Sequence, residues 1–209
     1  MVALITDPEL KERLITQRQS DGTDKYDEVW EGMYVMAPLA NNEHQDLVNE
    51  LCTVLTIAVK WAGLGKVYPG VNVSDRKEDW QENFRCPDVA VFLNDTGAED
   101  RGTHWYGGPD VAIEIVSPHD RARQKIPFYA KIGVLELLLI ERDPLSIVLY
   151  RLQGNELCEA GRSTLEDPQA LASHVIPLNW QIFLHERVPA IQVIHHDGEQ
   201  HWTITQTSH

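Results

Sequence analysis

The run Val111-Ala112-Ile113-Glu114-Ile115-Val116 constrains the fold most, because one carboxylate interrupts an otherwise apolar strand. A carboxylate is almost never fully buried without a partner, since stripping its water is costly. Glu114 therefore needs a cation. A second apolar run, Val89-Ala90-Val91-Phe92-Leu93, follows Arg85-Cys86-Pro87-Asp88 and so starts at another carboxylate. The Glu114 strand continues into Ser117-Pro118-His119-Asp120-Arg121-Ala122-Arg123-Gln124-Lys125, which puts a lysine on the next segment. For a lone Glu an ordinary ion pair or a solvated strand end is the simpler account. The combination supplies two hard oxygen ligands and one proton donor. Magnesium takes one or two carboxylates, keeps several waters and is completed by phosphate oxygens. The pattern suits metal-assisted hydrolysis of a phosphodiester.

Four pieces of sequence resemble one known family when taken together: Pro87-Asp88, Glu114-Ile115-Val116-Ser117-Pro118, Lys125 with Tyr129, and Gly133-Val134-Leu135-Glu136. They resemble the PD-(D/E)xK nuclease superfamily and, within it, the restriction endonuclease family long known as a domain of unknown function. A Glu31-Gly32 hairpin turn and His44 at the start of a long helix also match, so the resemblance spans about residues 25–185. Val116 stands where the superfamily motif has lysine, and the lysine is relocated to Lys125, as that family is known to do. The resemblance implies a restriction-endonuclease-like α/β (α+β) fold, with a mixed central sheet flanked by helices and added antiparallel hairpins. It also implies a DNA endonuclease using magnesium or manganese. Asp88, Glu114 and the Ile115 carbonyl are then the expected metal ligands, and Lys125 orients or deprotonates the attacking water. Glu31 becomes an extra ligand or water-orienting group, and His44 a phosphate contact. A homodimer is expected, because cutting both strands of a duplex suits two-fold symmetry.

The net charge of −14 predicts repulsion from nucleic acid, whose binding draws on Lys and Arg. A local patch can answer this: Arg121, Arg123, Lys125 and Lys131 follow the Glu114 strand closely, and Arg85 precedes Asp88. The competing expectation is a non-catalytic binding or regulatory module, in which the carboxylates pair with Lys125 and Arg123 and hold no ion. A chain of 209 residues reads as one α+β domain, residues 25–185, with an N-terminal helix and linker (1–24) and a C-terminal hairpin extension (186–209). Three widely spaced cysteines without a C-x-x-C pair suit a reducing cytoplasm, and no apolar run approaches a membrane span.

Residues 7–18 read as a helix capped by Asp7, whose Leu10, Leu14 and Ile15 stripe packs on the domain, before a polar linker from Ser20 to Asp24. Tyr26 to Trp30 and Met33 to Met36 read as a hairpin. After a break at Pro38, Asn41 or Asn42 caps a helix to about Trp61, followed by strands Lys66 to Tyr68 and Val71 to Ser74. The polar run 75–83 forms a loop over one edge of the site. The glycine-rich loop 94–108 is either an aromatic flap or, more simply, a crossover. A helix is expected over 120–131, although Pro127 requires a kink there or a start near Lys125. Val134 to Ile140, Leu145 to Leu152, Glu156 to Ala160, His174 to Ile176 and Trp180 to Leu184 read as strands, and Ile191 to Ile194 with His201 to Ile204 as a last hairpin. Ser117, His119 and Asp120 are too crowded for a hydrolase triad. His195 and His196 would point to opposite faces of a strand.

Overall fold

The computed structural model describes residues 7–37, 40–116 and 121–205. Ser117-Pro118 of the motif, the Ser117, His119 and Asp120 trio, and Pro38 lie outside these residues. The chain runs through α1 (Pro8–Asp21), β1 (Glu28–Trp30), β2 (Met33–Val35), α2 (Asn42–Leu55), β3 (Gly65–Pro69), β4 (Val73–Ser74) and β5 (Phe84–Arg85). Next come β6 (Val89–Leu93), β7 (Glu99–Asp100), β8 (Trp105–Tyr106), β9 (Val111–Val116), α3 (Ile126–Lys131), β10 (Glu136–Arg142) and β11 (Leu145–Gln153). The last strands are β12 (Glu156–Ser163), β13 (Leu171–Ala172), β14 (Leu178–His185), β15 (Val188–His195) and β16 (His201–Thr205).

Among the described residues three sheets form. The central one has the order β12-β11-β10-β9-β6-β3. Only β9 and β10 run parallel in it, joined through α3, so the sheet is mixed. The second sheet is β2-β1-β5-β4-β8-β7 and the third is β13-β14-β15-β16. Side chains alternate between faces along a strand. Val89, Val91, Ile113, Ile115, Leu138 and Ile140 thus share one face, where they meet Leu47, Leu51, Val54 and Leu55 of α2 and Trp180, Ile182, Ile191 and Val193 of the third sheet. Each of these buried aliphatic side chains contributes about 2 kcal/mol. Phe92, Ala112, Leu137 and Leu139 line the opposite face with Phe128 and Tyr129 of α3 and Trp105 of β8. Glu114 belongs to this second face, opposite Leu139.

Asn41 caps α2 by accepting from the His44 N–H at 3.0 Å, and the helix continues as a π-helical turn over Thr56–Lys60. Gly65 then admits β3 against β6, because a Cβ there would lie 2.2 Å from the Phe92 carbonyl oxygen. At the hairpin turn Glu31 and Gly32 both adopt positive φ, 49° and 81°, as a two-residue turn requires. Pro127 stands in the first turn of α3, after a 3-10 turn over Ala122–Lys125. There its missing N–H has no helical partner to lose.

Three expectations need correction. Helix α1 reaches Asp21, where Gly22 at φ 65° stops it, so Ser20 and Asp21 are helical and not linker. Its apolar stripe is not buried: Leu10 is 38% exposed, and Leu14 and Ile15 are half-exposed. What ties α1 down is Arg18, whose guanidinium meets Asp27 at 2.6 and 2.7 Å. Residues 174–176 form a bend instead of a strand, because the Ser173 hydroxyl accepts from the Val175 and Ile176 N–H groups at 3.1 and 3.0 Å. The loop 94–108, by contrast, is a packed crossover, as the simpler of its two readings had it. It contributes β7 and β8, and Trp105 stacks on Phe92 at 3.7 Å.

Candidate active site

Glu114 projects from β9 into the second core face and is 3% exposed. It accepts from the Lys125 ammonium at 2.9 Å through Oε1 and 3.0 Å through Oε2. The Tyr129 hydroxyl donates to the same carboxylate. Lys125 closes the 3-10 turn and Tyr129 lies one helical turn further, so the start of α3 at Ile126 aims both at one strand residue. Lys125 also contacts Glu28 of β1 at 2.9 Å. Glu28 is buried, and its Oε1 accepts from the Cys86 N–H at 2.8 Å while Oε2 accepts from the Trp30 indole at 2.6 Å.

Asp88 stands just before β6, where the chain leaves the second sheet for the central one. Its Oδ2 accepts from the Ile115 N–H at 2.7 Å, one residue from Glu114. Its Oδ1 lies 3.0 Å from His44 Nε2 in the first turn of α2, so the tautomer protonated on Nε2 donates to it. A strand residue projects its N–H and C=O toward the same edge. The Ile115 carbonyl is therefore on the Asp88 side of β9.

The structure brings together Asp88, Glu114, Lys125, His44 and the Ile115 backbone. It does not bring Glu31 to them. At the hairpin turn Glu31 accepts from Asn83 Nδ2 at 3.0 Å, and its own N–H donates to Asn83 Oδ1 at 3.0 Å. Asn83 in turn donates to Asp75. Glu28 lies against Lys125 instead, in the place that the family resemblance implies for Glu31. In the sequence it is one of several carboxylates near a short hairpin strand. Its signal is indirect: it shares a face with Trp30, on a strand whose neighbour β5 leads straight into Cys86-Pro87-Asp88.

Burial pushes the Glu114 carboxyl up to about 8, with Lys125 opposing the shift and Asp88 and Glu28 adding to it. Burial also disfavours the Lys125 ammonium, but Glu114, Glu28 and Asp88 outweigh that and hold it protonated above its ordinary value. The Tyr129 phenol is raised well above its ordinary value by burial and by Glu114, so it acts as a donor. A folded Glu114 thus keeps its proton to about pH 8, while an unfolded glutamate loses it near about 4.3. Its stabilising proton is fully present below the unfolded value and is lost as pH rises through the folded one. In chelator the melting temperature is expected to fall as pH rises from about 5 to about 8, with the fall largely absent in Glu114→Gln. Equal slopes in parent and variant would remove Glu114 as the cause.

Among the described residues no three of His, Cys, Asp and Glu are gathered as a metal-holding group. Lys125 lies against both Glu114 and Glu28. The donor set still fits a hard cation: the Glu114 and Glu28 carboxylates face one ammonium, with Asp88 bonded to the neighbouring Ile115 N–H, and magnesium needs only one or two carboxylates beside water.

A mixed central sheet flanked by helices and further sheets is the architecture of the restriction-endonuclease-like nucleases. The Uma2 family model, described as "Putative restriction endonuclease", matches residues 12–185, and the chain belongs to that family. Among solved structures, the crystal structure of "a putative nuclease belonging to DUF820" from Anabaena variabilis is similar, with a TM-score of 0.54 and 22% identity. The alignment covers 70% of this chain and 80% of that one, and the likeness bears on the fold. None of the curated proteins matches the chain.

Proposed function

We propose that the chain is a divalent-cation-dependent DNA endonuclease that cleaves phosphodiester bonds at the Asp88, Glu114 and Lys125 cluster. The observation that carries this is Lys125 held at 2.9 Å from both Glu114 and Glu28, beside an Asp88 carboxylate bonded to the Ile115 N–H. Asp88, Glu114 and the Ile115 carbonyl would hold magnesium or manganese. Such an ion lowers the pKa of a bound water and polarises a phosphate oxygen. Lys125 stays protonated, so its role is to orient the attacking water and meet the charge developing on the phosphate. The Tyr129 hydroxyl fixes the Glu114 carboxylate, and His44 fixes Asp88. The proposal includes a homodimer, a cytoplasmic setting and a nuclease unit over residues 25–185, flanked by segments 1–24 and 186–209. The free cysteines Cys52, Cys86 and Cys158 suit a reducing compartment. Among the described residues no helix is long and apolar enough to cross a membrane.

The ion-paired Lys125 also supports a second reading, a binding module whose carboxylates are neutralised internally. Arg123, however, pairs with Glu141 rather than with the cluster. Two measurements separate the readings. The nuclease nicks supercoiled plasmid in magnesium or manganese and stops in chelator, and Asp88→Ala removes the activity. Magnesium also raises the melting temperature of the parent and not of Glu114→Ala, because only a competent site gains from ligand linkage. No nicking together with no metal-dependent stabilisation would favour the module.

A further inference from the structure

The basic patch that follows the Glu114 strand is largely neutralised from within. Arg123 binds Glu141, Lys125 binds Glu114 and Glu28, and Lys131 binds Asp75 at 2.6 Å. Arg121 is different: among the described residues it has no carboxylate partner, and its guanidinium lies 5.7 Å from the centroid of the Trp30 ring. That ring is itself fixed. Its indole N–H donates to Glu28 Oε2 at 2.6 Å, and the Arg85 guanidinium packs 4.6 Å from its centroid and 4.2 Å from that of Phe128. Arg85 is 5% exposed. One terminal nitrogen donates to the Val29 and Phe84 carbonyls and to Asn83 Oδ1, and its Nε has no hydrogen-bond partner among the described residues. Two guanidinium groups without carboxylate partners therefore share one indole, two residues along β1 from the Glu28 that grips Lys125.

In a chain of net charge −14, un-neutralised positive charge beside buried carboxylates is where a polyanion can approach. We propose that Arg121, presented on Trp30 and backed by the buried charge of Arg85, is the phosphate anchor that holds a DNA backbone across the Glu114 site. This rests on the nuclease reading above and names the contact that overcomes the acidic surface. A guanidinium presents a planar fork that matches phosphate oxygens, and stacking on an aromatic face restricts the rotamers it must give up on binding. Arg85, being buried, acts through its field rather than by contact.

The test compares the full-length parent, Arg121→Ala and Arg123→Ala. Binding of a short fluorescein-labelled DNA duplex is followed by anisotropy in calcium over a range of potassium chloride, and plasmid nicking is followed in magnesium. Every phosphate left without its cationic partner lowers the slope of log affinity against log salt by about 0.9. Arg121→Ala is expected to lower that slope by about one and to weaken binding about fivefold to tenfold near 0.1 M salt. It raises KM and leaves kcat in place. Arg123→Ala, whose guanidinium is already engaged by Glu141, leaves the slope unchanged. If the parent nicks DNA but the two variants match each other in slope, the anchor is wrong and the nuclease reading survives. If the parent neither binds nor nicks DNA, both fall together.

Discussion

Lys125→Met is expected to reduce plasmid nicking by about 100-fold to 1,000-fold, the range for removing one preorganised charge-stabilising donor from a transition state. The same change is expected to destabilise the chain in chelator while enlarging the stabilisation by magnesium. The reason is the charge count at the site. Lys125 is the cation in direct contact with both Glu114 and Glu28. Breaking a buried ion pair from one side costs about 3–5 kcal/mol when the other charge is left stranded. Glu114 escapes part of this by holding its proton to still higher pH, since Lys125 no longer opposes the upward push of burial. A divalent ion held there would meet Glu114 and Glu28 with no ammonium between them, so its differential affinity for the folded chain would rise. Nicking and thermal melting with and without magnesium measure both effects. Nicking within tenfold of the parent would sink the catalytic role of Lys125.

Glu136→Ala is expected to cost on the order of 3 kcal/mol in urea unfolding, while nicking at a permissive temperature continues. Glu136 opens β10 and is 1% exposed. Its carboxylate accepts from Arg151 Nε at 2.9 Å, from the His174 N–H at 2.9 Å and from the Ser173 hydroxyl. Ser173 in turn holds the bend that leads into β14. Removing Glu136 strands an arginine, a backbone N–H and a hydroxyl at once. Ser173→Ala removes a smaller share, about 1 kcal/mol. The double variant should fall short of the sum, because both groups serve one network. Full additivity would show that the two act independently.

The sequence made the cluster legible wherever chemistry clashed with pattern. Glu114 stood out because an apolar strand tolerates no unpaired carboxylate, and Asp88 because it closed Arg85-Cys86-Pro87 at a strand start. Glu28 did not stand out, because a carboxylate near a hairpin is ordinarily solvated, and its burial depends on β1 pairing with β5, about fifty residues away. For α1, helical spacing located the stripe but not what covers it. The anchor is instead an arginine whose partner, Asp27, lies beyond the helix. Gly133-Val134-Leu135-Glu136 was visible as a motif. Its role in fastening the third sheet came only with the fold, because the Ser173 and His174 donors arrive from some 37 residues downstream.

Asp27 and Glu28 are consecutive, both buried, and committed to different cations: one is clasped by Arg18 of α1, the other by Lys125. Helix α1 is thus fastened one peptide unit away from the carboxylate that holds Lys125.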